Sequence, residues 1–373
     1  MKIRSQERSA FVNSLSVSRR QFVVSSSLAG LATLPLPKVF SEPATLDYSL
    51  RPYKLGNAFL ATCGIYGAMD DALMFSEDDG FTFRRLASFQ GATRGLRTVF
   101  RSREGYVFAS PEGSQLMDGQ KGLWRSGHEH GEFKKVIDLS GEPNPVSVSS
   151  LIETSSSALL AGTFTAASRC SLAKIYRSTD LGASWDSVYS DATGRHVHSI
   201  AYDRFSDTIY ASIGDDFGSW RTKRLIKSTD GGTSWDEFLS ELPQIKPILA
   251  LPRRRIFGTD SNAIAGIYIS HDDIGFSRVY DLQENSYVSW LRALDESTVV
   301  AGAVAASDEA AFTVLLSRNG GLTWAPLSSG RAVKKWDGPS FASNVSQGRF
   351  LISGHLDRTL QPTVSLAMKY HAG

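Results

Sequence analysis

One short pattern recurs along this chain and limits what it can fold into: Ser-x-Asp-x-Gly-x-Thr/Ser-Trp/Phe. Clear copies start at Ser76 (SEDDGFTF), Ser178 (STDLGASW), Ser228 (STDGGTSW) and Ser317 (SRNGGLTW, with Asn319 in place of the acid). Weaker copies start at Ser126 (SGHEHGEF) and Ser270 (SHDDIGFS), each with one more residue ahead of its glycine. Successive starting serines lie 50, 52, 50, 42 and 47 residues apart. Each octet position has a physical task. Ser and Asp side chains can accept hydrogen bonds from turn amides that no ladder satisfies. Gly supplies a positive φ, and Asn can replace Asp in local bonding. The closing aromatic (Phe83, Trp185, Trp235, Trp324) starts the next strand with a large apolar group. On this reading Asp78, Asp180 and Asp230 are fold staples rather than catalytic acids.

Alternating runs flank each octet, as half-buried strands require. Around Ser178 they are Val146–Glu153, Ala158–Thr163, Ala173–Arg177 and Trp185–Tyr189; around Ser228 they are Val197–Tyr202, Thr208–Ile213, Arg224–Lys227 and Trp235–Leu239. Each octet therefore joins the third and fourth strands of a four-stranded unit. A last unit without an octet keeps the rhythm at Phe350–Gly354 and Val364–Met368, and Leu46–Tyr53 can supply its missing strand. The expected fold is all-β, a seven-bladed β-propeller of four-stranded blades in one domain spanning residues 42–373, with six blades as the alternative.

The first 41 residues read as an address. A basic lead precedes Ser18-Arg19-Arg20-Gln21-Phe22-Val23-Val24 and a short apolar stretch to Leu36. This resembles a twin-arginine export signal, which implies the twin-arginine translocase as a partner, cleavage near Glu42 and a periplasmic or secreted protein. The chain holds 40 basic and 38 acidic side chains, six and one of them in that segment, so the remainder is mildly acidic at about −3. Such a balance, with no Lys/Arg stripe, gives no support for nucleic-acid binding. No further apolar run approaches the roughly 20 residues of a membrane span, so no membrane association is expected once the signal is removed. The two cysteines, Cys63 and Cys170, cannot build a disulfide framework; two buried thiols are expected, a single bridge being the alternative.

The octets resemble the Asp-box (BNR) repeats of sialidases, other glycoside hydrolases, sortilin-type receptors and photosystem-assembly propellers, and the resemblance covers the chain from about residue 44 onward. It implies a propeller whose octet turns lie on one face, with function on the opposite face around the central channel. That face collects the second-to-third-strand loops and the inter-blade connections. Candidate catalytic residues there are Asp71, Asp216, Arg195, His196 and Asp260; candidate binding residues are Glu112, Trp220, Trp336 and His355. A glycosidase needs two carboxylates, for which Asp71 and Asp216 are the leading pair. A lyase needs a base beside an arginine that neutralises a sugar carboxylate, for which Arg195, His196 and Tyr202 serve. The sialidase arginine motif ahead of the first octet is not matched: the region reads Ser49-Leu50-Arg51-Pro52-Tyr53, and Arg97, Arg292 and Arg358 have no local signature. His128-Glu129-His130 lies in a degenerate octet and reads as a turn rather than a metal site, so no metal or cofactor is expected. Two functions follow: an exported glycoside hydrolase or polysaccharide lyase acting on a complex or acidic glycan, or a non-catalytic propeller binding a glycan or protein ligand.

Overall fold

The computed structural model describes residues 45–371 apart from 53–57, 79, 168–171, 217–223, 239–242, 261–263, 285, 306–310, 332–339, 342–348 and 354–363; for 45–52, 215–216, 238, 311, 328, 330–331, 340–341, 349–353 and 364–371 it describes the backbone alone. The export-signal segment, Cys170, Trp220, Trp336, His355 and Arg358 lie outside the described residues.

Six antiparallel sheets are each made of four consecutive strands, and we number these blades 1 to 6. Blade 1 runs Ala58–Ala61, Gly64–Met69, Ala72–Ser76, Arg84–Ser88; blade 2 runs Leu96–Arg101, Val107–Pro111, Gly122–Arg125, Lys134–Asp138. Blade 3 runs Val146–Glu153, Leu159–Thr165, Ala173–Ser178, Asp186–Asp191; blade 4 runs Gly194–Asp203, Thr208–Asp216, Arg224–Ser228, Asp236–Phe238. Blade 5 runs Ile245–Leu251, Arg254–Thr259, Gly266–Ser270, Phe276–Asp281; blade 6 runs Ser286–Ala293, Val299–Ala305, Ala311–Ser317, Ala325–Arg331. First strands of successive blades contact one another, so they are the innermost. Among the described residues six such blades are present where the repeat count leads one to expect seven. The remaining strands, Thr45–Pro52, Val364–His371, Arg349–Ser353 and Ser340–Phe341, pair in that order as a composite sheet drawn from both ends of the chain.

The octet turns are built as their chemistry requires. In blade 4 the Ser228 hydroxyl donates to Asp230 Oδ1 at 2.7 Å and accepts the Gly232 N–H at 2.9 Å, while Ser234 donates its N–H and hydroxyl to the same carboxylate at 2.9 and 2.7 Å. Blades 1 and 3 repeat this around Asp78 and Asp180. In blade 6 Asn319 accepts from Ser317 and the Thr323 N–H, and the remaining bond reverses: Asn319 Nδ2 donates to the Thr323 hydroxyl at 2.9 Å. Thr82 N–H and hydroxyl, then the Ser76 hydroxyl, hold the Asp78 carboxyl at about 2. A group held ionised by its own turn has no proton to donate near neutral pH, in keeping with the staple role.

Between blades the core is continuous and apolar. Phe108, Val148, Leu159 and Ala161 join blades 2 and 3; Leu160, Ile175, Val197 and Ile209 join blades 3 and 4; Ile256, Val288, Val299 and Leu315 join blades 5 and 6. Each such Leu, Ile or Val is worth roughly 1.5–3 kcal/mol by burial. Trp185, Trp235 and Trp324 pack against these clusters from the end of their octets. One expectation is corrected here: Cys63 is an exposed free thiol, because it sits in the tight turn between the first two strands of blade 1 and not in a strand face.

Candidate functional site

The innermost strands carry a repeated irregularity. Each of the first strands of blades 2 to 6 has a β-bulge at the corresponding place: between Leu96 and Thr98, Val148 and Ser150, Val197 and Ser199, Ile245 and Ile248, and Val288 and Trp290. Bulges re-aim a side chain out of the ladder. The residues so placed are Arg97, Ser149, His198, Lys246 with Pro247, and Ser289, one set from each blade. The bulge also leaves a carbonyl outside the ladder, and the preceding blade satisfies it: the Thr98 hydroxyl donates to Val148 O at 2.6 Å, the Ser149 hydroxyl to Val197 O at 2.7 Å, and His198 Nδ1–H to Ile245 O at 3.1 Å.

Around this ring a cationic cluster forms on the face predicted for function. The Arg97 guanidinium lies 3.5 Å from the centroid of Phe164, which stacks on His196 at 4.3 Å, and His196 lies 4.7 Å from His198. His198 Nε2 faces Asp260 Oδ2 at 3.5 Å, and Lys246 Nζ sits 4.3 Å over the Tyr287 ring. Room for the His198 ring comes from Gly214 on the neighbouring strand, where any Cβ would lie 2.1 Å from the imidazole. Behind Arg97, Glu112 is 3% exposed and faces Arg94 and Arg97 at 3.4 and 3.3 Å.

The electrostatics follow from burial and like charge. Burial, then the neighbouring His198, Arg195 and Arg97, hold His196 far below the usual imidazole range, against the hydrogen bond to Thr165 O that favours its charged form. Burial and Lys246 likewise push His198 down, against Asp260. Lys246 and Arg195 are lowered by burial, against the attraction of Asp260. Among the described residues these cations face the carboxylates of Glu112 and Asp260, and burial, ahead of the neighbouring positive charges, opposes a proton on the two imidazoles.

Of the sequence-derived candidates, Arg195, His196 and Asp260 come together here, and Glu112 joins through Arg97. Glu112 is a buried counter-ion that positions arginines, not a surface binding group. His196, 1% exposed, is sealed between Phe164 and His198, so in this arrangement a substrate cannot reach it as a base. Asp71 lies in the turn just ahead of the third strand of blade 1, which is two strand spacings or about 10 Å out from the innermost strand; none of the described contacts joins it to the cluster, although its carbonyl accepts the Phe89 N–H at 2.8 Å. Asp216 ends the second strand of blade 4 opposite Gly194. The expected Asp71–Asp216 pair is therefore not brought onto the innermost strands. Tyr202 is also corrected: it lies six residues beyond His196, roughly 20 Å along the strand, where its hydroxyl bonds Ser155 and Asp207 at 2.6 Å. Among the described residues no group of three or more His, Cys, Asp and Glu is arranged to hold a metal ion.

The fold is that of a β-propeller, with Arg97, Arg195 and Lys246 on the innermost strands of three blades. No protein-family model matches the chain, and no curated protein matches it by sequence. Solved structures do. YCF48 from Cyanidioschyzon merolae aligns with 86% of this chain and 98% of its own at 14% identity and a TM-score of 0.56. YCF48 bound to D1 peptide aligns with 89% and 97% at 14% identity and a TM-score of 0.55. The GH74 xyloglucanase from Xanthomonas campestris aligns with 87% of this chain but 55% of its own, at 13% identity and a TM-score of 0.55. Likeness at this identity establishes the propeller fold and no activity.

Proposed function

We propose that this protein is an exported propeller of the Asp-box type that binds a ligand through an anionic group, a carboxylate above all, at the channel mouth formed by Arg97, Arg195 and Lys246. The observation that carries this is the meeting, on one face, of Arg97, Arg195 and Lys246 from three different blades around two imidazoles that burial keeps from taking a proton. Recognition rather than turnover fits the side chains: Glu112 is buried between two arginines, His196 is sealed, and Asp260 is committed to His198. The neighbours include a peptide-bound propeller and a glycoside hydrolase, so a peptide carboxylate and a uronic-acid glycan are both sources of that chemistry. A hydrolase or lyase remains the second reading, because Asp260, with 16% of its side chain exposed and backed by His198, is a carboxylate at the mouth.

The repeat assignment rests on the Ser–Asp–Gly turn bonding, and export on Arg19-Arg20 and the apolar stretch after them. We further infer that the composite sheet closes the ring as a seventh blade, since Ser340–Phe341 touches the first strand of blade 6 and Arg349–Ser353 that of blade 1. Calorimetric titration with oligogalacturonate, with its carboxyl-reduced form and with a short peptide ending in a free carboxylate tests the function. Binding of at least one acid form, weakened about tenfold or more by Arg97→Gln or Lys246→Met, is expected, since a charged hydrogen bond is worth roughly 1.5–3 kcal/mol. Equal binding of the reduced glycan refutes the anionic reading, and product release from oligogalacturonate that Asp260→Asn abolishes favours the enzyme. Cytoplasmic retention on changing Arg19 and Arg20 to lysine tests export.

A further inference from the structure

The opposite, octet-bearing face contains a site that the repeat itself does not require. Strand register makes the blades comparable: Tyr66, Phe108, Leu160, Tyr210 and Ile256 each pair with the residue just before an octet serine, namely Phe75, Arg125, Arg177, Lys227 and Ile269. They are equivalent positions in blades 1 to 5. At three blade steps the octet glycine of the next blade closes directly onto this residue, since a Cβ on Gly182 would lie 2.5 Å from Phe108, on Gly232 2.5 Å from Leu160 and on Gly321 2.4 Å from Ile256. Apolar side chain against glycine leaves no space there. The two degenerate octets face the two tyrosines instead. At the step from blade 4 to 5, Asp273 fills the gap, accepting from the Tyr210 hydroxyl at 2.8 Å and facing Arg255 and Lys227 at 3.4 and 3.8 Å.

At the step from blade 1 to 2 the gap stays open. His130 occupies the left-handed place of the glycine, at φ 72, and turns its imidazole back onto Tyr66 and Phe75 at 5.4 and 4.5 Å. A cleft of about 460 Å³ remains, lined by Cys63, Tyr66, Phe75, Glu77, Arg101, Gly105, Glu129 and His130. Its hydrogen bonds run one way. Arg84 has donors only, so it donates to His130 Nδ1 at 2.9 Å; Nε2–H then donates to the Tyr66 oxygen at 2.7 Å, which directs the Tyr66 proton outward toward Cys63 Sγ at 3.5 Å. The potential at His130 is positive: after burial, Arg84 and Arg101 lower its affinity for a proton ahead of the opposing Glu77 and Glu129. The cleft thus offers the His130 imidazole laid over the nearly buried Tyr66 and Phe75 rings, the Arg101 guanidinium and the Tyr66 hydroxyl at its Cys63 edge, with Glu77 and Glu129 also in the lining, at a volume suited to a metabolite.

We propose that this cleft is a second binding site, for a small organic carboxylate whose flat apolar body lies against Phe75 and His130 and whose charge meets Arg101 and the Tyr66 hydroxyl. It is independent of the channel mouth, being on the other face. Cys63 supplies the reporter. In full-length protein carrying Cys170→Ser, alkylation of Cys63 by iodoacetamide is followed by intact mass with benzoate or its neutral isostere benzamide present. Benzoate in the millimolar range is expected to slow alkylation at least threefold and benzamide much less; Arg101→Gln should raise the benzoate concentration needed about tenfold, and Tyr66→Phe should raise it severalfold without disturbing the ring packing. Protection by benzamide equal to that by benzoate, no protection by either, or benzoate protection unchanged in both variants would overturn the proposal.

Discussion

The octet glycines allow the packing argument to be separated into two energies. Gly231 and Gly232 are adjacent and both left-handed, at φ 70 and 86, so alanine at either meets a backbone penalty of about 1–2 kcal/mol. They differ in surroundings. A Cβ on Gly231 finds its nearest atom, on Arg177, at 3.8 Å, an ordinary contact, whereas one on Gly232 lies 2.5 Å from a δ-methyl of Leu160, a core residue with no exposure. Overpacking of that kind costs roughly a further 1–3 kcal/mol. Gly231→Ala should therefore cost about 1–2 kcal/mol and Gly232→Ala about 2–5. Leu160→Val removes the δ-methyls and should itself cost roughly 1 kcal/mol; in that background Gly232→Ala should fall back toward the Gly231→Ala value, a coupling of about 1–3 kcal/mol. Urea unfolding of the wild type, the three single variants and the double mutant, with slopes compared as well as midpoints, gives these numbers. Equal costs at 231 and 232, or additivity of Gly232→Ala with Leu160→Val, would refute the claim that octet glycines are set by contact with the preceding blade.

Three further outcomes follow from the same geometry. Ser149→Ala removes the hydroxyl that bonds Val197 O across a blade step and should cost about 1 kcal/mol in urea, with Ser149→Thr partly restoring it. The octet carboxyls of Asp78 and Asp180, held at about 2 against an ordinary 3.8, contribute stability that is complete above pH 3.8 and disappears as pH falls through 2; replacing both by Asn should flatten the urea midpoint between pH 4 and 2. Gly214→Ala should displace His198 from Asp260 and weaken carboxylate binding at the channel mouth in calorimetry, while leaving benzoate protection of Cys63 unchanged.

Strand positions were legible in the sequence because octet and alternation agree: Val146–Glu153 is reproduced to the residue, and Thr45–Pro52 pairs with Val364–His371 as the terminal segments require. Arg195, His196 and Asp260 lie together, since loops and connections reach the same face. What alternation could not supply was register. Arg97, His198 and Lys246 form one ring only because each first strand is bulged, and period-two reading assumes no bulge. A trace was present: Ser110, Gly162, Ser212 and Gly302, small residues in the middle of second strands, pair with the residue after the bulge in blades 2, 3, 4 and 6. Distance from the innermost strands is set by strand number within the blade, so Asp216, ending a second strand opposite Gly194, lies nearer to them than Asp71, ahead of a third strand. The degenerate octet at Ser126 looked like decay of the pattern, yet its histidine takes the glycine's conformation and opens a cleft.

The bulge ring ties stability to the site unequally, and this predicts which channel variants can be interpreted. At the step from blade 2 to 3 the carbonyl left by the bulge is bonded by Thr98, the residue after the bulged one, so Arg97 can turn to Glu112 and Phe164. At the step from blade 4 to 5 the bulged residue His198 makes that bond itself, with Gly214 beneath it and Asp260 beside it. His198→Ala should then leave Ile245 O unsatisfied at about 1–3 kcal/mol and open a void against Gly214, lowering stability and ligand affinity together. Arg97→Gln keeps the Thr98 bond and leaves Glu112 with Arg94 and the glutamine amide as donors, so it should be less destabilised than His198→Ala while losing affinity. If the two variants are equally destabilised, the bulge carbonyls are not what joins the blades, and a loss of binding in either could no longer be assigned to the site.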